Sequence, residues 1–270
     1  MPEHPHSRDV APSVQGVYDA LRGGHRHRIA EEKTAAALEK AFPGTGERML
    51  EEQAFTGRAA AMAARRGVRQ FIVTGAGMPA PAGQNIHEAA RAAAPDSVTA
   101  YVSADPYAAA WTRALLGDGD PLVAAVEAQV RCPSDILGLP AVSAVIDLRR
   151  PACVIAPVVL HFAAPDGAEA MIGGIAGQVA AGSVVAVSSW PRCPEEDAEE
   201  FSRLLGYPVC RHPAADIARW MTSAGLRIEP EPLEWRMGVV EARLWPDQAW
   251  AAGELGRPAG RIIVAVGVRE

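Results

Sequence analysis

The spacing of hydrophobic and polar positions changes near Gly67. Before this glycine, apolar residues recur at helical spacing in three stretches, which predicts amphipathic helices. These stretches are 13–24, 30–42 and 46–67. After Gly67, short runs rich in β-forming residues alternate with Ala-rich stretches of helical pattern. The pattern therefore predicts a flexible leader, a helical cap and an α/β domain, over residues 1–11, 12–66 and 67–270.

Five β-rich runs in the second part are candidate strands, at 69–75, 97–103, 123–131, 152–160 and 183–189. The helical stretches between them are 85–94, 105–116 and 166–182. Strands that alternate with helices are joined by right-handed crossovers and form a parallel sheet covered on both faces. Capping pairs mark two of the helix starts, Asn85 with Glu88 and Asp166 with Glu169.

The end of the chain breaks this alternation. A helix that ends at Gly225 is followed by a strand, and residues 261–270 form a final strand with little room for a helix between the two. The final strand is therefore predicted to be antiparallel. The predicted fold class is α/β, with a mostly parallel seven-stranded sheet, an antiparallel last strand and a helical N-terminal cap.

Composition and charge exclude some partners. The 270 residues carry a formal net charge of −6, whereas a nucleic-acid binder usually presents a basic field. The longest apolar run, 152–160, is too short to span a bilayer, and the first residues lack the pattern of a signal peptide. The four cysteines form no C-x-x-C pair, which fits a reducing interior. We expect a cytoplasmic protein that binds neither nucleic acid nor membrane.

A glycine loop, FIVTGAGMP (71–79), follows the first predicted strand. In doubly wound sheets, ligands bind outside the carboxyl ends of the strands, and residues without side chains let the backbone approach a ligand closely. Gly75 and Gly77 fit this role. A G-x-G sequence also occurs in ordinary tight turns, so the loop alone leaves both interpretations open.

Further motifs accompany this loop in a fixed order: PSVQGVYDALRGG (12–24) before it, and NIHEAA (85–90), YVSADP (101–106) and VVLHF (158–162) after it. The ordered set resembles the actinobacterial S-adenosyl methyltransferase family, formerly a domain of unknown function, over roughly residues 12–250. The resemblance implies a Rossmann-like class I methyltransferase fold, S-adenosylmethionine as cofactor and a small-molecule substrate.

The resemblance also implies a cofactor site. The glycine loop would run under the methionine part of the cofactor, an acid after the second strand would hold the ribose, and an acid after the third would face the adenine. Carboxylates suit both roles because they accept hydrogen bonds from a diol or an amine. The matching residues of this chain are Gly75, Gly77, Met78, Ser103, Asp105, Gln129 and Val130.

This chain departs from the family pattern at several acids. Val73 replaces the acid before the glycine loop, and Ser103 replaces the first acid of V-D-x-D-P. Gln129 and Cys132 replace the two acids of A-D-L-R-D-P. The loss of one charge-assisted hydrogen bond costs about 1.5–3 kcal/mol, although Gln129 and Ser103 can still accept hydrogen bonds. The sequence therefore predicts a degenerate cofactor site.

The cap also departs from the pattern, because residues 25–28 read HRHR where the family has a lysine followed by an asparagine–aromatic pair. Folded over the pocket, the two imidazoles could transfer protons and the two guanidiniums could bind an anion. A solvated surface turn is the alternative. The candidate pocket residues of the cap are Tyr18, Asp19, Gly24, His25, Arg26, His27 and Arg28.

His161 follows the fourth predicted strand, where class I methyltransferases place groups that face the substrate. It is the third candidate catalytic residue beside His25 and His27, with a core histidine as the alternative. Trp190, Trp220 and Trp235 are interpreted as core residues. An i,i+2 pair such as His25 and His27 is weak evidence for a metal, so no metal site is predicted.

Three functions remain open at this point. The first is methyl transfer from S-adenosylmethionine to a small molecule, in specialised metabolism. The second is a repurposed enzyme of the same fold that catalyses a cyclisation, elimination or rearrangement with acid–base groups of the cap. The third is a non-catalytic partner subunit, bound to a homologue or to a second copy of the chain. Cofactor binding separates the first from the others.

Overall fold

The computed structural model describes residues 11–117, 119–128, 133–190, 195–228 and 263–270. Its sheet has seven strands in the order β3-β2-β1-β4-β5-β7-β6. The strands are β1 Gln70–Thr74, β2 Val98–Ser103, β3 Val123–Glu127, β4 Cys153–Ala156, β5 Val184–Ser189, β6 Leu226–Ile228 and β7 Ile263–Arg269. The five strands from β3 to β5 in this order pair in parallel, and β7 runs antiparallel to both of its neighbours. The predicted fold class is confirmed.

Nine α-helices are described: α1 Val14–Leu21, α2 Ile29–Ala41, α3 Thr45–Arg65, α4 Ile86–Ala93, α5 Pro106–Thr112, α6 Pro140–Ser143, α7 Pro165–Gln178, α8 Glu195–Leu205 and α9 Ala214–Ser223. The predicted capping box of Asn85 and Glu88 begins α4. The pair predicted at Asp166 is wrong, because α7 begins one residue earlier with Ala164 as its N-cap. Proline favours the first helical position, and Pro165 sets the start.

The fourth strand ends earlier than the predicted 152–160. It stops at Ala156 because the chain turns at Val158, whose φ is +43°, before a short 3-10 helix at Leu160–Phe162. Other short helical turns are the π-helix Arg113–Gly117 after α5 and the 3-10 helix Pro133–Gly138. Part of the third predicted strand, residues 129–131, lies outside the described residues.

Both faces of the sheet are buried, because successive side chains of a strand point to opposite faces. Phe71 packs with residues of α1, α2, α3 and α8, whereas Ile72 packs with residues of α7 and α9. Trp190 and Trp220 lie in these two cores, as predicted, and Trp235 lies outside the described residues. The first three helices thus share a core with the sheet and lie against its carboxyl edge. Among the described helices, none has the length and hydropathy to cross a membrane.

Candidate functional site

The glycine loop leaves the carboxyl end of β1. Gly75 has a φ of +69°, and a Cβ at this position would lie 2.5 Å from Cγ1 of Val159, so both backbone and space require glycine. A Cβ built on Gly77 would instead lie 3.5 Å from Nη2 of Arg22. The Arg22 guanidinium therefore lies over the bare side of Gly77. Met78 is buried behind the loop.

At the neighbouring end of β2, one carboxylate oxygen of Asp105 accepts hydrogen bonds, and the other has no partner among the described residues. Its Oδ1 caps α5 by accepting hydrogen bonds from the backbone N–H groups of Tyr107 (2.8 Å) and Ala108 (3.4 Å). Its Oδ2 is buried and has no hydrogen-bond partner among the described residues. The buried Ser103 supports this turn, since its Oγ accepts from the Asp105 N–H at 3.3 Å. Asp105 thus retains a carboxylate acceptor at the strand edge.

Val73 closes the end of β1 with apolar contacts. It belongs to a small buried cluster with Ala76, Tyr101 and Val123. The position where the family pattern has an acid is therefore packed rather than polar. Gln129 and Val130, the residues predicted to face adenine, lie outside the described residues.

Asp19 organises the segment that follows α1. Its buried carboxylate accepts hydrogen bonds from the Arg26 N–H (2.8 Å) and from Nδ1 of His27 (2.9 Å). A Cβ on Gly24 would lie 2.1 Å from Oδ1 of Asp19, so this position excludes a side chain. Nη1 of Arg26 donates to the Pro79 carbonyl at 3.1 Å. The cap segment is thereby tied to the loop after β1.

The other two residues of the HRHR segment lie apart from this contact. Nε of Arg28 donates to Oε1 of Glu31 at 2.9 Å and its Nη2 donates to the Ala11 carbonyl at 3.2 Å, which holds Arg28 at the start of α2. His25 is exposed. The structure therefore brings Asp19, Arg26 and His27 together, and the catalytic and binding roles predicted for the cap residues stay predictions.

His161 lies in a second, fully buried group. Its Nε2 lies 3.1 Å from the Tyr18 hydroxyl, which is also 3.4 Å from Nε1 of Trp190. The indole N–H can only donate, so the Tyr18 oxygen accepts it and its own hydrogen is available for Nε2 of His161. This arrangement pairs Nε2 of His161, the Tyr18 hydroxyl and the indole N–H when Nδ1 of His161 carries the imidazole hydrogen.

Nδ1 of His161 is buried and has no hydrogen-bond partner in the described part of the chain. Burial lowers the pKa of His161 well below its ordinary value, and the charges of Arg211 and His212 lower it further. The imidazole is therefore neutral. In the tautomer inferred above, Nδ1 carries the imidazole hydrogen, and the catalytic role predicted for His161 stays a prediction.

Glu52 on α3 is a buried carboxyl group that the sequence did not single out. Its Oε1 accepts from the Ser188 hydroxyl at 3.2 Å, and Ser188 Oγ accepts from the Val158 N–H at 2.8 Å. Val158 is a β-branched residue with positive φ, a strained conformation of the kind that clusters at functional sites. Burial raises the pKa of Glu52 to about 7, against the opposing effects of Arg22 and Ser188.

A profile of the S-adenosyl methyltransferase family matches residues 4–267, nearly the entire chain. The chain belongs to this family. Like its relatives, this S-adenosyl methyltransferase family member has the class I methyltransferase fold. In a separate comparison with curated proteins, none matched the chain.

Two solved structures are similar over nearly their full lengths. A candidate methyltransferase from Thermobifida fusca is 28% identical, with a TM-score of 0.81 over 98% of both chains. A DUF574 family protein from Streptomyces avermitilis is 25% identical, with a TM-score of 0.77 over 96% of this chain and 98% of the other. Magnesium protoporphyrin IX methyltransferase from Synechocystis, solved with S-adenosylhomocysteine, shares only the fold, at 11% identity and a TM-score of 0.52 over 94% of this chain and 93% of that one.

In this family member, sequence reasoning missed Arg22, Glu52 and Ser188. One signal for Arg22 was available: it follows Tyr18 by four residues, so the two side chains share a helix face. Glu52 carries no comparable signal, because a glutamate inside a helix usually faces solvent. The described residues contain no group of three or more side chains able to hold a metal ion.

Proposed function

We propose that this protein transfers a methyl group from S-adenosylmethionine to a small molecule. The observation that carries the proposal is the open Oδ2 of Asp105 beside the bare glycine loop. A buried carboxylate oxygen without a donor is costly, and a ribose hydroxyl would supply that donor. When bound, the cofactor supplies an electrophilic methyl group on its sulfonium.

The residues of this chain would act mainly by binding and orientation, which is how proteins accelerate a displacement of this kind. Gly75 and Gly77 let the backbone approach the cofactor, and Asp105 accepts from its ribose. The contact of Arg26 with the Pro79 carbonyl keeps the cap segment over the loop and limits access of water.

On the acceptor side, the buried His161 and Trp190 offer a small aromatic environment with one open imidazole atom. The inferred Nδ1–H donor favours a substrate that places an oxygen or nitrogen acceptor next to His161. We therefore propose a small, partly apolar methyl acceptor oriented by this hydrogen bond.

A second candidate function is an acid–base reaction without methyl transfer, and Glu52 favours it. A general acid or base works best when its pKa lies near the working pH, and burial raises the pKa of Glu52 to about 7. The two candidates differ in whether the protein needs the cofactor.

Calorimetric titration with S-adenosylmethionine and S-adenosylhomocysteine tests the proposal. We expect micromolar binding, and Asp105→Asn should weaken it about 10- to 100-fold, because an amide can still cap α5 but offers the ribose no charge. Asp166→Asn, at an exposed residue of α7, is the matched control. Absence of binding up to millimolar ligand would overturn methyl transfer and leave the acid–base candidate.

A further inference from the structure

Arg22 lies between the end of α1 and the glycine loop. It follows α1 directly, and its guanidinium lies over the bare side of Gly77. Within the described ranges, no hydrogen bond or ion pair engages this guanidinium. Burial lowers the pKa of Arg22, and the nearby charges of Glu52 and Asp19 oppose that effect. A guanidinium presents five N–H donors in a planar fork that matches a carboxylate.

The charge of the cofactor complements this position. S-adenosylmethionine and S-adenosylhomocysteine have a single anionic group, the carboxylate of the amino-acid end. Asp105 offers an acceptor for the ribose at the end of β2, and Arg22 offers donors across the glycine loop that leaves the adjacent strand β1. Asp105 and Arg22 therefore match the ribose and the carboxylate, which lie on either side of the cofactor's sulfur atom.

We propose that Arg22 binds the carboxylate of the cofactor's amino-acid end. Such a carboxylate would give the guanidinium over Gly77 a charge-assisted, bidentate contact. The inference rests on the proposed function and assigns one binding residue within the same site.

The test compares S-adenosylhomocysteine with 5′-methylthioadenosine, which lacks the amino-acid end. Calorimetry at pH 7.5 measures both affinities for the wild type and for each variant. The wild type should bind S-adenosylhomocysteine more tightly than 5′-methylthioadenosine, because only S-adenosylhomocysteine offers a carboxylate to Arg22.

Arg22→Met should weaken the binding of S-adenosylhomocysteine at least about tenfold and leave the affinity for 5′-methylthioadenosine unchanged. The nucleoside therefore reports that the variant is folded. Arg219→Met, at an exposed arginine paired with Asp216 on α9, is the matched control and should change neither affinity.

The outcomes separate the two proposals. Equal affinity of wild type and Arg22→Met for S-adenosylhomocysteine would overturn this inference and leave the proposed function standing. Failure of the wild type to bind either ligand would overturn both.

Discussion

The carboxyl edge of the sheet has two halves that differ in the side chains they bury. At the ends of β1 and β2, Val73 packs in an apolar cluster and Asp105 keeps one open oxygen. At the ends of β4 and β5, the helices α1 and α3 bury Glu52 and, with the strand ends, enclose His161. Among the described residues, the deeply buried ionisable groups Glu52 and His161 both lie at the second pair of strand ends, where helices cover them.

This difference indicates where buried ionisable groups lower the stability of the fold. A buried ionisable group lowers the stability of the fold unless partners compensate it, and such groups persist where function needs them. The half below α1 and α3 also holds the strained Val158. The comparison therefore predicts that substitutions in this half have the larger and more pH-dependent effects.

The largest effect is expected from Glu52→Gln at alkaline pH. The pKa of Glu52 is raised from 4.5 to about 7 in the folded protein, so the folded state binds a proton more tightly than the unfolded chain. Stability is therefore lost as the pH rises from 4.5 to 7, by about 3 kcal/mol at about 1.4 kcal/mol per pH unit. Glutamine does not titrate and should recover this free energy above pH 7.

Urea unfolding of Glu52→Gln at pH 8 and pH 4.5 measures the effect, with Glu199→Gln on the exposed side of α8 as control. The stability gain relative to wild type should be present at pH 8 and shrink as the pH falls to 4.5. A difference that is the same at both pH values would contradict the buried, protonatable state of Glu52.

Gly24→Ala should have the next largest effect. The new Cβ would lie 2.1 Å from the Asp19 carboxylate, which holds the Arg26 N–H and His27. Loss of these charge-assisted hydrogen bonds should lower the free energy of unfolding by about 2–3 kcal/mol. Gly177→Ala in α7 meets no atom within 4 Å and should instead be neutral or stabilising by up to about 1 kcal/mol. Equal unfolding curves for the two variants would refute the proposed role of Asp19.

A pair of tyrosine substitutions compares the two halves directly. Tyr18→Phe leaves the indole N–H of Trp190 and Nε2 of His161 without a partner, and should cost about 2 kcal/mol. Tyr101→Phe leaves the backbone N–H and Nδ1 of His87 without this partner. Because His87 is less deeply buried than His161, the substitution should cost about 1 kcal/mol. Chemical denaturation measures the loss of unfolding free energy in both variants, and a larger loss for Tyr101→Phe would contradict the comparison.

The fold could be predicted because its signals are local. Alternating strands and helices predicted the parallel sheet, and the short interval before residues 261–270 predicted the antiparallel last strand. The end of β4 could not be predicted, since the turn at Val158 depends on a hydrogen bond to Ser188, thirty residues away along the chain. The start of α7 was set by Pro165, a signal that was present but outweighed by the apparent capping pair.

The residues of the candidate site also differ in whether the sequence could predict them. Gly75, Gly77 and Asp105 stand in a motif next to strand ends, so their positions followed from sequence. Arg22 and Glu52 come from helices whose packing over the sheet is a tertiary property, and a charged residue in a helix looks solvated until that packing is known. The residues that tertiary packing brings to the site were therefore the hardest to find.

A crystal structure of the protein with S-adenosylhomocysteine tests the central claim most directly. The account predicts the ribose within hydrogen-bond distance of Asp105 Oδ2, and the ligand carboxylate on the Arg22 guanidinium above Gly77. A ligand whose amino-acid end points away from Arg22, or one bound elsewhere than at the glycine loop, would contradict it.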